Sequence, residues 1–153
     1  MTSTQRVRIA AFQLLYGLDA VGAPDEPEES VLSSLRDSVS EESEELEPRE
    51  LRQAEKLALA AFAGRRGADA LFEELSPGWP ASRQPAVDRA ILRLAYHEMV
   101  SQKTPPKVAI DEAVDMARQF STEKSPSFVN ALLDAAMRRL AGQPTDTVEP
   151  NAC

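Results

Sequence analysis

A single histidine, His97, is the one imidazole available for proton transfer, and it sits beside Glu98 in an apolar-periodic stretch. A metal centre needs several His, Cys or carboxylate ligands at matched spacing, and no second His or Cys stands where a ligand set would need it. A nucleophile–base pair would also have to use His97, yet no serine lies in an elbow motif and Cys153 is the last residue, on a tail expected to be loose. The six glycines are scattered, so there is no phosphate-cradling loop. Acidic pairs such as Asp111-Glu112 suit helix starts, where the dipole favours negative charge. His97 therefore reads as a packing or surface residue. The chain reads as a non-enzyme without metal or cofactor.

Residues that bind rather than react are more informative. Arg6 and Gln13 are seven apart and share one face of a helix, with Tyr16 three residues further on flanking it. Arg8 points to a different side. A guanidinium, an amide and an aromatic ring together suit single-stranded RNA, gripping phosphate, reading a base edge and stacking a base. The same residues also fit a solvated helix start with a core tyrosine. Trp79, in a loop that continues to Arg83, suits a plug between helices. Arg89 and Arg93, four apart, form a basic edge, and Asp88 either pairs with one of them or reaches a partner. Asn130 suits a cap or a bridge between helices.

These side chains need helices to position them. Ile9, Phe12, Leu15 and Tyr16 recur at helical spacing, widened by Leu14 and Leu18, which predicts a mostly buried helix over 5–19. Further helices are predicted over 51–62 and 68–75, the latter stopped by Ser76-Pro77-Gly78. Pro85 suits the first position of the next helix, which carries Ile91, Leu94, Ala95 and Met99 and ends before Thr104-Pro105-Pro106. A helix over 108–121 follows. Ser125-Pro126 then reads as a hydroxyl cap with proline at the first helical position of the last helix. No stretch alternates as a strand would. The expected fold is all-α, a bundle of six or seven helices.

Charge is unevenly spread along the 153 residues, whose net charge is −8. Residues 23–50 hold 11 acidic and 2 basic residues, and the remainder is nearly neutral, with 14 acidic and 15 basic. That acidic stretch is expected to be a variable, solvated connection with at most a turn or two around Val31, Leu32 and Leu35. Residues 1–141 make up the expected helical domain, and 142–153 an expected flexible tail. No apolar run approaches the roughly 18 to 20 residues that span a bilayer. The opening residues lack the apolar core of a secretory signal, and the lone Cys153 permits no internal disulfide. A cytoplasmic protein is the expectation.

Four segments together resemble the bacterial transcription antitermination factor family NusB. They are Arg6–Tyr16 (RVRIAAFQLLY), Trp79 with Arg83–Ala95 (RQPAVDRAILRLA), Val108–Val114 (VAIDEAV) and Phe128–Asp134 (FVNALLD). The resemblance covers about residues 5–140 apart from the acidic connection, and it implies two packed helical subdomains. It further implies a heterodimer with the small-subunit ribosomal protein NusE, binding of boxA-type single-stranded RNA, and read-through by RNA polymerase, notably in ribosomal RNA operons. By position, the family's RNA-contacting basic start falls on Arg6 and Arg8, its RNA-facing polar and aromatic positions on Gln13, Tyr16 and Phe128, and an acidic partner-contact position on Asp88. Two phosphate contacts imply a salt slope of only about −1.4 on a single strand. The chain alone is therefore expected to bind weakly, with NusE strengthening binding. The alternatives are a protein-only interaction module, a homodimer in the absence of the partner, or the N-terminal domain of an RNA cytosine methyltransferase.

Overall fold

A computed structural model describes residues 1–149, and Cys153 lies outside them. Among the described residues the secondary structure is helical throughout. It comprises α1 (Ser3–Ala20), α2 (Glu29–Glu42), α3 (Pro48–Ala63), α4 (Arg65–Leu75), α5 (Ala86–Ser101), α6 (Pro106–Phe120) and α7 (Ser125–Leu140), with a 3-10 turn at Ala81–Arg83. The chain divides into two compact units, Met1–Ala63 and the part from Gly64 onward.

In the first unit, α1 packs on α3 and on α2. A reciprocal cap starts α1. The Thr2 hydroxyl accepts the Gln5 N–H at 3.1 Å, and the Gln5 side chain accepts the Thr2 N–H at 2.9 Å. Its end is a left-handed turn at Gly22, φ 64°, where Ala23 N–H reaches back to Leu18 C=O and Gly22 N–H to Asp19 C=O. Phe12, Leu14, Leu15 and Leu18 of α1 are buried, as are Ala54, Ala58, Ala61 and Phe62 of α3.

The acidic stretch departs from its expectation. It carries a 14-residue helix, α2, in place of a turn or two. Its composition is poor for self-burial, but neighbours hold it. Leu35 lies so close to Gly17 that a Cβ there would sit 2.5 Å from a Leu35 methyl. Val39 is buried, and Arg36 pairs with Glu55 at 2.5 Å and with Glu29. Tertiary packing supplies what local composition lacks.

In the second unit, α5 packs on α4, α6 and α7, and α7 also packs on α4 and α6. Ile91, Leu92, Leu94, Val129, Leu132 and Leu133 are fully buried. Phe72 and Tyr96 meet edge to face at 6.2 Å. Pro85 is the residue before α5 and not its first, a shift of one. Residues 143–149 adopt no regular structure, yet they are held. Gly142, φ 77°, turns the chain back, Val148 N–H donates to Leu75 C=O at 2.8 Å, and the Ser76 hydroxyl donates to Val148 C=O at 2.7 Å. Within the tail expected to be flexible from 142 onward, Val148 is thus held by a backbone bond to Leu75 and by the Ser76 hydroxyl.

Candidate nucleic-acid interface

The polar row of α1 is built on a buried carboxylate. Glu50 is 0% exposed at the start of α3, where Pro48 and Glu50 stand as the first and third helical residues. Its carboxylate accepts the Glu47 backbone N–H at 3.0 Å, half of a capping box, and the Ser3 hydroxyl at 2.5 Å. The Arg6 guanidinium completes the set, with Nε at 3.2 and 3.3 Å from the two oxygens and a second nitrogen at 3.1 Å. These donors hold Glu50 down to a pKa of about 2, the Glu47 N–H first, then Ser3 and Arg6. Hydrogen bonding to Glu50 in turn raises the Arg6 pKa. The third Arg6 nitrogen donates to Met1 C=O at 2.9 Å, so all three nitrogens of this fork are engaged within the unit.

Gln13, half-buried, donates from its amide to a Glu42 carboxylate oxygen at 3.3 Å. Tyr16 is 42% exposed and is the open aromatic face of α1. Arg8 is only 5% exposed. Arg6, Gln13 and Tyr16 are therefore brought to the accessible side of α1, whereas Arg8 is turned inward, as its helical phase had suggested. Phe128 is also 5% exposed, inside the second unit's core.

Asp88 is 3% exposed, and its carboxylate accepts the Ser121 hydroxyl at 2.5 Å and the Ser125 hydroxyl at 2.9 Å. It ties α5 to the α6–α7 turn. Ser125 is consequently not the free hydroxyl cap expected of it; it lies inside α7, with Lys124 at the cap position. The basic edge of Arg89 and Arg93 is corrected as well. Arg93 is buried and forks onto Asp69 at 2.7 and 3.0 Å, while Arg89 donates to the Ala81 and Gln84 carbonyls.

His97 is half-buried, and burial lowers its pKa. No cluster of three or more His, Cys, Asp or Glu capable of holding a metal occurs among the described residues. No helix among them is long and apolar enough to cross a membrane. The arrangement on α1 can contact phosphate, accept and donate at a base edge, and stack a base.

The family model for NusB matches residues 5–138, most of the chain. The chain belongs to the NusB family. The transcription antitermination protein NusB of Rubrobacter xylanophilus is 37% identical over 145 residues, covering 94% of this chain and 96% of the relative. NusB from T. maritima superimposes with a TM-score of 0.73 at 28% identity, covering 90% of this chain and 92% of that one. A solved structure of the antitermination factors NusB and NusE in complex with dsRNA gives a TM-score of 0.74 at 26% identity, with 91% and 98% covered.

What sequence reasoning missed is the Glu50 hub. The segment Glu47-Pro48-Arg49-Glu50 carries the signal, a helix start with proline at the first position and glutamate at the third. Nothing local shows that Ser3 and Arg6 would meet it.

Proposed function

We propose that this chain is a cytoplasmic transcription antitermination factor that binds boxA-type single-stranded RNA together with NusE and promotes read-through in ribosomal RNA operons. The observation that carries the reading is membership of the NusB family along nearly the whole chain, joined to likeness with a NusB that was solved with NusE and RNA. An open aromatic ring at Tyr16 favours an unstacked strand over a duplex, because bases buried in a helix offer no face to stack on.

On this reading Arg6, Gln13 and Tyr16 contact RNA. Arg8, turned inward, supports α1, which carries the contacts, while Phe128 packs in the core of the second unit. Asp88 shapes the partner-contact region by fixing the α6–α7 turn. The test is a titration of a boxA oligoribonucleotide with the protein alone and with NusE at fixed salt. NusE is expected to raise affinity markedly; equal affinity in both titrations would count against the reading. If Arg6→Ala and Tyr16→Ala leave RNA binding by the NusE complex unchanged, a protein-only module takes its place.

A further inference from the structure

Acidic residues at the end of α2 and the start of α3 lie against the same row of α1 that the proposed function assigns to RNA. Glu42 holds the Gln13 amide at 3.3 Å, and Glu50 holds Arg6 through three contacts of 3.1 to 3.3 Å. Glu47 is tied in through its backbone N–H on Glu50, and the charges of Glu45 and Glu47 act on the Arg6 guanidinium through space. Glu41, Glu42, Glu44 and Glu45 are all exposed. A carboxylate and a phosphate oxygen ask the same thing of an arginine or an amide, so the two compete for these donors.

We propose that the exposed acidic run at residues 41–45, with Glu42 on the Gln13 amide, is an internal competitor for RNA phosphate that occupies and shields the polar row of α1 until RNA displaces it, while the buried Glu50 stays in place. This rests on the RNA-binding reading above and adds a regulation to it. Such a tract weakens association with arbitrary polyanions by repulsion, and a strand is held only when base stacking and partner contacts add to the phosphate contacts. It also alters the salt response. Screening relieves the repulsion while it weakens phosphate contacts, so affinity falls less steeply with salt than the slope of about −0.7 per phosphate expected for a single strand.

The test uses the protein–NusE complex and a single-stranded boxA oligoribonucleotide, titrated by fluorescence anisotropy at about 50 mM and about 500 mM salt. The variant E41Q/E42Q/E44Q/E45Q is expected to bind roughly fivefold to tenfold tighter at the lower salt, the sum of several modest surface charge effects, and to lose most of that gain at the higher. E42Q alone should give a smaller gain in the same direction, and it guards against misfolding of the quadruple variant. A control that neutralises four exposed acids elsewhere, E73Q/D111N/E123Q/D146N, should change affinity less than about twofold. Wild-type binding with no gain in either variant overturns the proposal, as does an equal gain in the control. A wild-type complex that takes up no RNA at either salt instead overturns the RNA-binding reading on which the proposal rests.

Discussion

At the scale of single residues, the row on α1 divides into a charge already engaged and a ring left open. On the proposed function Arg6 contacts a phosphate although Glu50 and Met1 C=O engage all three of its nitrogens, so Arg6→Ala should weaken RNA binding across sequences and reduce the salt slope by about 0.7, which titrations at several salt concentrations would show. Tyr16→Ala should lose about 1–3 kcal/mol of stacking without changing that slope. Glu50 adds a pH dependence of folding. Its folded pKa of about 2 lies below its ordinary value of 4.5, so the folded state binds the proton less readily than the unfolded one. The resulting stability is fully present above about 4.5 and is lost as pH falls towards 2. Thermal melts between pH 5 and pH 2 should show Glu50→Gln starting less stable and declining less steeply than wild type; parallel curves would remove Glu50 from the account. Arg6, Gln13 and Tyr16 could be singled out by phase on one helix. The residue that organises Arg6 could not, since Arg6 and Glu50 are 44 positions apart and meet only after folding.

At the scale of elements, buried polar pairs decide how helices are joined. Asp88 and Ser125 are 37 positions apart and link α5 to α7. Removing the Ser125 hydroxyl leaves a buried carboxylate oxygen short of a donor, so Ser125→Ala should destabilise by about 1–3 kcal/mol in a denaturant melt. Asp69→Ala removes the carboxylate onto which the buried Arg93 guanidinium forks and should destabilise by about 3 kcal/mol in the same measurement. If Asp69→Ala melts like wild type, the Arg93 pair is not a structural tie. The α-helices among the described residues were largely legible because apolar residues recur at the helical period. The exception was α2, whose apolar residues, Val31, Leu32, Leu35 and Val39, are spaced for a helix but embedded in Glu and Ser. Composition argued for solvent, and packing against Gly17 and Glu55 decided otherwise.

At the scale of the whole molecule, the chain divides into two helical units, with the polar row of α1 in one and the buried Asp88 in the other. The chain carries −8 and residues 23–50 account for that excess of negative charge, so on the proposed function phosphate contacts alone hold RNA weakly. The consequence is dependence on a partner: affinity for a boxA strand should rise at least tenfold when NusE is added at fixed salt, which is about 1.4 kcal/mol. Read alone, the residues determined the helical class, the positions of nearly every helix and the family, because periodicity, proline and glycine placement and motif order are local properties. Only the tertiary structure decided that Arg6 meets Glu50, that Asp88 is spent on two serines, that α2 is a helix, and that the acidic tract meets the polar row of α1. Those outcomes depend on contacts between residues tens of positions apart, and no local pattern encodes which carboxylate a guanidinium finds.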